Sequence, residues 1–84
     1  MPDVIVYRQT SCRACHQVER FLQERGVPFT AKDIDVDAAA LAEFLTLGYL
    51  TTPVTVVNGT PVPGFQPKRL AQLLSQPADR EGGR

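Results

Sequence analysis

Two cysteines, Cys12 and Cys15, stand three positions apart in a chain of 84 residues that contains no others. Bridged, they close a loop too short to constrain the unfolded chain by much. A secreted mini-protein of this size would need several disulfides to compensate for a thin core. The fold must therefore rest on apolar packing, and the pair is expected to serve chemistry rather than stability. Composition allows such packing, since 43% of the residues are hydrophobic and 21% are charged, ordinary values for a folded domain. A chain this long buries ~60–65% of the surface its unfolded form exposes. That suffices for one domain and leaves no room for a second.

Charge and hydropathy exclude other classes. Nine Lys+Arg balance nine Asp+Glu, and a nucleic-acid binder would normally carry a basic excess. No apolar run approaches the ~20 residues of a membrane span. The start, Met1-Pro2-Asp3-Val4-Ile5-Val6-Tyr7, lacks the basic and apolar regions of a secretion signal, so a cytoplasmic protein is expected.

Along the chain, Val4-Ile5-Val6-Tyr7 is β-branched and aromatic and predicts a buried strand. A polar turn over Arg8–Ser11 leads into a helix from Arg13, with Ala14, Val18, Phe21 and Leu22 on one face. Gly26 ends it and Pro28 prevents continuation. Phe29 to Ile34 predicts a second strand. Asp35 or Asp37 caps a second helix, with Leu41, Phe44 and Leu45 expected to face inward before Gly48. Val54–Val57 and Thr60–Pro63 flank Asn58-Gly59, a strong hairpin signal, and the two prolines suit an edge strand. Pro67 opens a last helix carrying Leu70, Leu73 and Leu74. The order is β-α-β-α-β-β-α, an α/β chain with a mixed four-stranded sheet and three helices. The domain is expected over residues 1–76, with a flexible tail over 77–84.

The pair Cys12-Arg13-Ala14-Cys15 falls where the first strand runs into the first helix. A sulfur at a helix N-terminus faces free backbone N–H groups and the positive end of the helix dipole. Both favour thiolate over thiol. Arg13 and, on the strand side, Arg8 push the same way. Cys15, one turn further in, is expected to be buried and to keep its proton longer. Cys12 is thus the expected nucleophile toward a substrate disulfide, and Cys15 the residue that resolves the mixed disulfide.

Two further segments accompany the pair. Thr52-Pro53 precedes a strand; alone it marks a turn, but beside an upstream Cys-x-x-Cys a cis bond is expected. Such a bond would present the backbone of Thr52 to an extended substrate. Gly64-Phe65-Gln66-Pro67 leads into the last helix, where free N–H groups suit a carboxylate. Phe65 serves there either as an apolar platform or as a core residue. Asp33, Asp35, Asp37 and Glu43 form an acidic stretch, whereas Arg8, Arg13, Lys68 and Arg69 form either a basic rim that would steer acidic partners or part of an ordinary solvated mixed surface.

Taken together, Tyr7, Cys12-x-x-Cys15-His16, Thr52-Pro53-Val54 and Gly64-Phe65-Gln66-Pro67 resemble the glutaredoxin branch of the thioredoxin superfamily, from about Val4 to Leu74. Within it the chain is most similar to the glutaredoxin-like redoxins of the NrdH type, which donate electrons to ribonucleotide reductase. These share the His after the second Cys and a Gly-Phe-Arg-Pro stretch, here with Gln66 for Arg. The resemblance implies a thioredoxin fold and a dithiol protein-disulfide oxidoreductase, monomeric, with catalytic Cys12 and Cys15 and no bound cofactor or metal. Thr52, Pro53, Gly64 and Phe65 would bind substrate.

Departures bear on the electron source. Glutathione-using glutaredoxins carry a Lys where Gln9 stands, a Gly where Phe65 stands, and an acid near Pro67-Lys68. Lys68 would repel the glutathione ammonium. The resemblance therefore favours NADPH through thioredoxin reductase, with a glutathione-dependent glutaredoxin as the alternative. Arg13-Ala14 is not the common Pro-Tyr of glutaredoxins, so no redox potential carries over.

Two other classes use similar residues. Cys12-Arg13-Ala14-Cys15-His16 also spells the attachment motif of c-type haem, but Met1 and His16 are the only residues of their kinds, which leaves a second axial ligand scarce. A metal cluster would need ligands from two chains, because two cysteines and one histidine fall short of four.

Overall fold

The computed structural model describes residues 3–76, so the tail expected over 77–84 lies outside the described residues. Its elements are β1 (Val4–Arg8), α1 (Arg13–Glu24), β2 (Thr30–Asp33), α2 (Ala38–Thr46), β3 (Val54–Val57), β4 (Thr60–Pro63) and α3 (Pro67–Leu74). The sheet order is β2-β1-β3-β4. β1 pairs parallel with β2 and antiparallel with β3, and β3 pairs antiparallel with β4. A helical crossover makes the first pair parallel, and a two-residue turn makes the last antiparallel.

That turn is built from backbone shape. Asn58 and Gly59 both hold positive φ, 49° and 88°, which matches the right-handed twist of the strands they join. Asn58 is also tied to the start of β1: its Oδ1 accepts from the Asp3 N–H and its own N–H donates to the Asp3 carbonyl, both at 2.8 Å. The end of α1 is equally defined. Gly26, at φ 68°, lets its N–H reach the Gln23 carbonyl and the Val27 N–H reach the Leu22 carbonyl, at 3.0 and 2.9 Å. These are the paired bonds that close a helix through a left-handed glycine.

The core lies on both faces of the sheet. Val4, Val6, Val57 and Val62 meet Val18 and Leu22 of α1 and Leu70 and Leu73 of α3. On the other face Tyr7 and Val54 pack under Phe44 of α2, the two rings tilted at 51° with centroids 6.1 Å apart. The two prolines of β4 sit on the sheet's edge, where a missing donor removes no bond from a neighbour.

Two sequence expectations need correction here. Leu41 and Leu45 do not face inward; they are 39% and 53% exposed, while Ala40 and Phe44 are buried. Packing decides this, because Phe44 lies against Tyr7 and Val54. Asp37 accepts from the Ala39 and Ala40 N–H groups at 3.0 and 3.2 Å, so the helix starts at Ala38. Its sheet-facing row is then Ala40 and Phe44, four apart, and each following residue turns ~100° toward solvent. The second strand is also shorter than Phe29 to Ile34. It spans Thr30–Asp33, in register with Ile5 to Arg8 of β1.

Candidate active site

β1 delivers the chain to the site and α1 carries it away. Cys12 is the N-cap of α1, with extended backbone at φ −132° and ψ 106°, and its Sγ accepts from the Cys15 N–H at 3.1 Å. Ordinarily an oxygen of Ser, Thr, Asp or Asn fills that position; here a sulfur does. Cys15 is fully buried, whereas Cys12 is half-buried. The two are joined by a disulfide, with Cα atoms 5.2 Å apart. Cys12 is thus the more exposed residue of the pair, and it is the one at the positive end of the helix dipole.

The fold brings Thr52-Pro53 to that sulfur. The Thr52–Pro53 bond is cis. The Thr52 hydroxyl donates to Gln9 Oε1 at 2.8 Å and lies 3.6 Å from Cys12 Sγ. Gly64, at φ 71°, donates its N–H to the Pro53 carbonyl at 2.8 Å. Gln9 and Thr52 thus meet beside the disulfide, and Gly64 joins them through Pro53. Phe65 is partly exposed and sets its ring edge-on to Phe21 of α1, with centroids 6.1 Å apart. It is not a core residue.

Arg8 departs from its expected place. Its side chain is 17% exposed, its Nε pairs with Glu19 and its Nη1 donates to Asp33 Oδ2 at 3.0 Å. Two carboxylates neutralise one guanidinium, so Arg8 is not a free charge of the rim. The parity of β1 explains this: Arg8 follows Val4 and Val6 on the face covered by α1. Arg13, Lys68 and Arg69 are exposed and have no acidic partner among the described residues.

The acidic stretch is likewise engaged. Asp35 accepts from Gln9 Nε2 and from the Thr10 N–H, both at 3.1 Å, and these two bonds hold its carboxyl below the usual range. Glu43 Oε1 accepts from Lys32 Nζ at 2.7 Å and from the Tyr7 hydroxyl at 2.9 Å. The ammonium, and then the phenol, hold Glu43 below the usual range too. Burial and the Glu43 bond push Tyr7 up. The bond to Glu43 pushes Lys32 up. Sequence reasoning missed the Gln9–Asp35 contact, which joins residues 26 positions apart; no local pattern announces it.

Comparison with known proteins settles the family. The glutaredoxin family model matches residues 4–62, which include both cysteines and Thr52-Pro53. The chain belongs to the glutaredoxin family. The chemistry of its Cys12–Cys15 pair is thiol–disulfide redox exchange. Glutaredoxin-like protein NrdH of Lactococcus lactis subsp. cremoris is 29% identical over 70 residues, covering 83% of this chain and 97% of that one. Gene 56 protein of Mycobacterium phage D29 is 29% identical over 82 residues, covering 95% of this chain and 91% of that one. Among solved structures, the thioredoxin-like protein BC3987 superposes with a TM-score of 0.80 at 36% identity, over 84% of this chain and 99% of that one. NrdH-redoxin from Escherichia coli shares the fold, with a TM-score of 0.79 at 24% identity, over 89% of this chain and 99% of that one.

Proposed function

We propose that this glutaredoxin-family protein is a cytoplasmic dithiol redoxin of the NrdH type, which reduces a protein disulfide such as that of ribonucleotide reductase. The observation that carries the reading is the contrast within the pair: Cys12 caps α1 and meets solvent, while Cys15 is fully buried. The Cys12 thiolate attacks one sulfur of the substrate disulfide, forms a mixed disulfide and releases the other sulfur as a thiolate that takes a proton. Cys15 then gives up its proton and attacks the Cys12 sulfur. That restores the Cys12–Cys15 bond and releases the second substrate thiolate. Two electrons have passed to the substrate. The Thr52 backbone beside the cis bond aligns the extended substrate, and Gly64 and Phe65 flank it.

Thioredoxin reductase, drawing on NADPH, is the proposed source of those electrons. Gln9, Phe65 and Lys68 support this, because each departs from a position that serves glutathione in the family. Lys68 in particular is exposed at the start of α3, an unfavourable neighbour for an ammonium.

A single assay with two electron sources tests the proposal. Disulfide turnover is followed with NADPH and thioredoxin reductase, and separately with NADPH, glutathione and glutathione reductase. The first mixture should support turnover and the second should not. Turnover with glutathione alone would make the protein a glutathione-dependent glutaredoxin instead.

A further inference from the structure

We infer that Gln9 is a positioning residue that holds the Thr52 hydroxyl away from Cys12, and so sets the balance between the dithiol and disulfide forms. The inference rests on the dithiol reading above and deepens it.

Thr52 has one hydroxyl proton to donate. Two acceptors stand within its reach: Gln9 Oε1 at 2.8 Å and Cys12 Sγ at 3.6 Å. Which one receives the proton depends on how Gln9 is turned. A glutamine amide has a donor end and an acceptor end, and a carboxylate can only accept. Gln9 Nε2 lies 3.1 Å from Asp35 Oδ1, so the amide must face its NH₂ to Asp35 and its oxygen to Thr52. Asp35 cannot turn away freely. Its Oδ2 is held by the Thr10 N–H at 3.1 Å, and its own N–H donates to Asp33 Oδ1 at 2.9 Å. The orientation of Gln9 is fixed from both sides.

In the disulfide the Cys12 sulfur is uncharged and a weak acceptor, so the shorter bond to Gln9 keeps the proton. On reduction the sulfur gains negative charge, and a hydrogen bond to an ion is about twice as strong as one between neutral groups. The hydroxyl then has reason to turn toward sulfur, and Gln9 competes for it. The bond to Gln9 therefore stabilises the disulfide, where the hydroxyl has no comparable acceptor, more than it stabilises the dithiol. Removing the Gln9 oxygen while keeping the side chain's bulk should therefore favour the dithiol.

The test is the redox equilibrium of the Cys12–Cys15 pair against a dithiothreitol buffer, read by thiol labelling and independent of any partner protein. Gln9→Met should shift the equilibrium constant toward the dithiol by about three- to tenfold, the latter being about 30 mV for two electrons. Thr52→Val, which removes the donor, should shift it the other way. In the Thr52→Val background, Gln9→Met should have no effect, because the proton under competition is gone. An unchanged equilibrium in Gln9→Met, or an equal effect with and without the Thr52 hydroxyl, would overturn the inference. Failure of the dithiol reading looks different: the wild-type pair would not titrate reversibly at all.

Discussion

The backbone N–H of Cys15 points at the sulfur of Cys12 across 3.1 Å, so Cys12 caps the first turn of α1 through the N–H of the very residue with which it forms a disulfide. One donor thus serves two purposes. It satisfies an N–H at the helix start, and it places a partial positive charge where the Cys12 thiolate forms on reduction. The spacing of the pair is what allows this. A cap accepts from the second or third residue beyond it, and Cys15 is the third.

Buried and outward-facing leucines of the helices should answer differently to truncation. Leu22 is wholly buried, whereas Leu45 is half exposed on α2. Leu22→Ala should therefore cost about 3 kcal/mol, and Leu45→Ala less than about 0.5 kcal/mol. Urea unfolding of both variants checks this. A large loss in Leu45→Ala would mean that the outer row of α2 is packed after all.

Stability should fall in acid through Glu43. Its folded carboxyl is held down by Lys32 and Tyr7, and a depressed acid binds its proton later in the folded state than in the unfolded one. Its contribution is complete above the ordinary carboxylate range and is lost as pH falls through the folded value. Asp35 acts with the same sign. At the alkaline end, Lys32 is raised, so its contribution is lost as pH climbs past the folded value. Glu43→Gln should flatten the acid limb of a plot of urea midpoint against pH, between neutrality and about pH 3. An unchanged limb would place the acid sensitivity elsewhere.

Arg8 should matter to stability. Its partners Glu19 and Asp33 are only 16% and 18% exposed, and Arg8→Met would leave both without their cation. A loss of roughly 1–3 kcal/mol is expected, measured by thermal unfolding. A variant as stable as the parent would show that the two carboxylates find other donors or solvent.

Much of this architecture was legible locally. Asn58-Gly59, Gly26, Pro67 and the β-branched runs each act over a few residues, and each stands where those local rules put it. The cysteine pair was legible for the same reason, since a strand-to-helix junction is a local event. What escaped was set by tertiary geometry. Strand parity turned Arg8 beneath α1 to Glu19. Packing of Phe44 on Tyr7 and Val54 turned Leu41 and Leu45 outward. The loop between β2 and α2 brought Asp35 to Gln9. None of these follows from spacing along the chain.

In the proposed mechanism Cys12 attacks and Cys15 resolves, and trapping tests that order most directly. Cys15→Ser, mixed with a substrate protein disulfide and digested under non-reducing conditions for mass spectrometry, should yield a stable adduct on Cys12. Cys12→Ser should yield none. An adduct on Cys15 in the Cys12→Ser protein, with none in Cys15→Ser, would contradict the assignment.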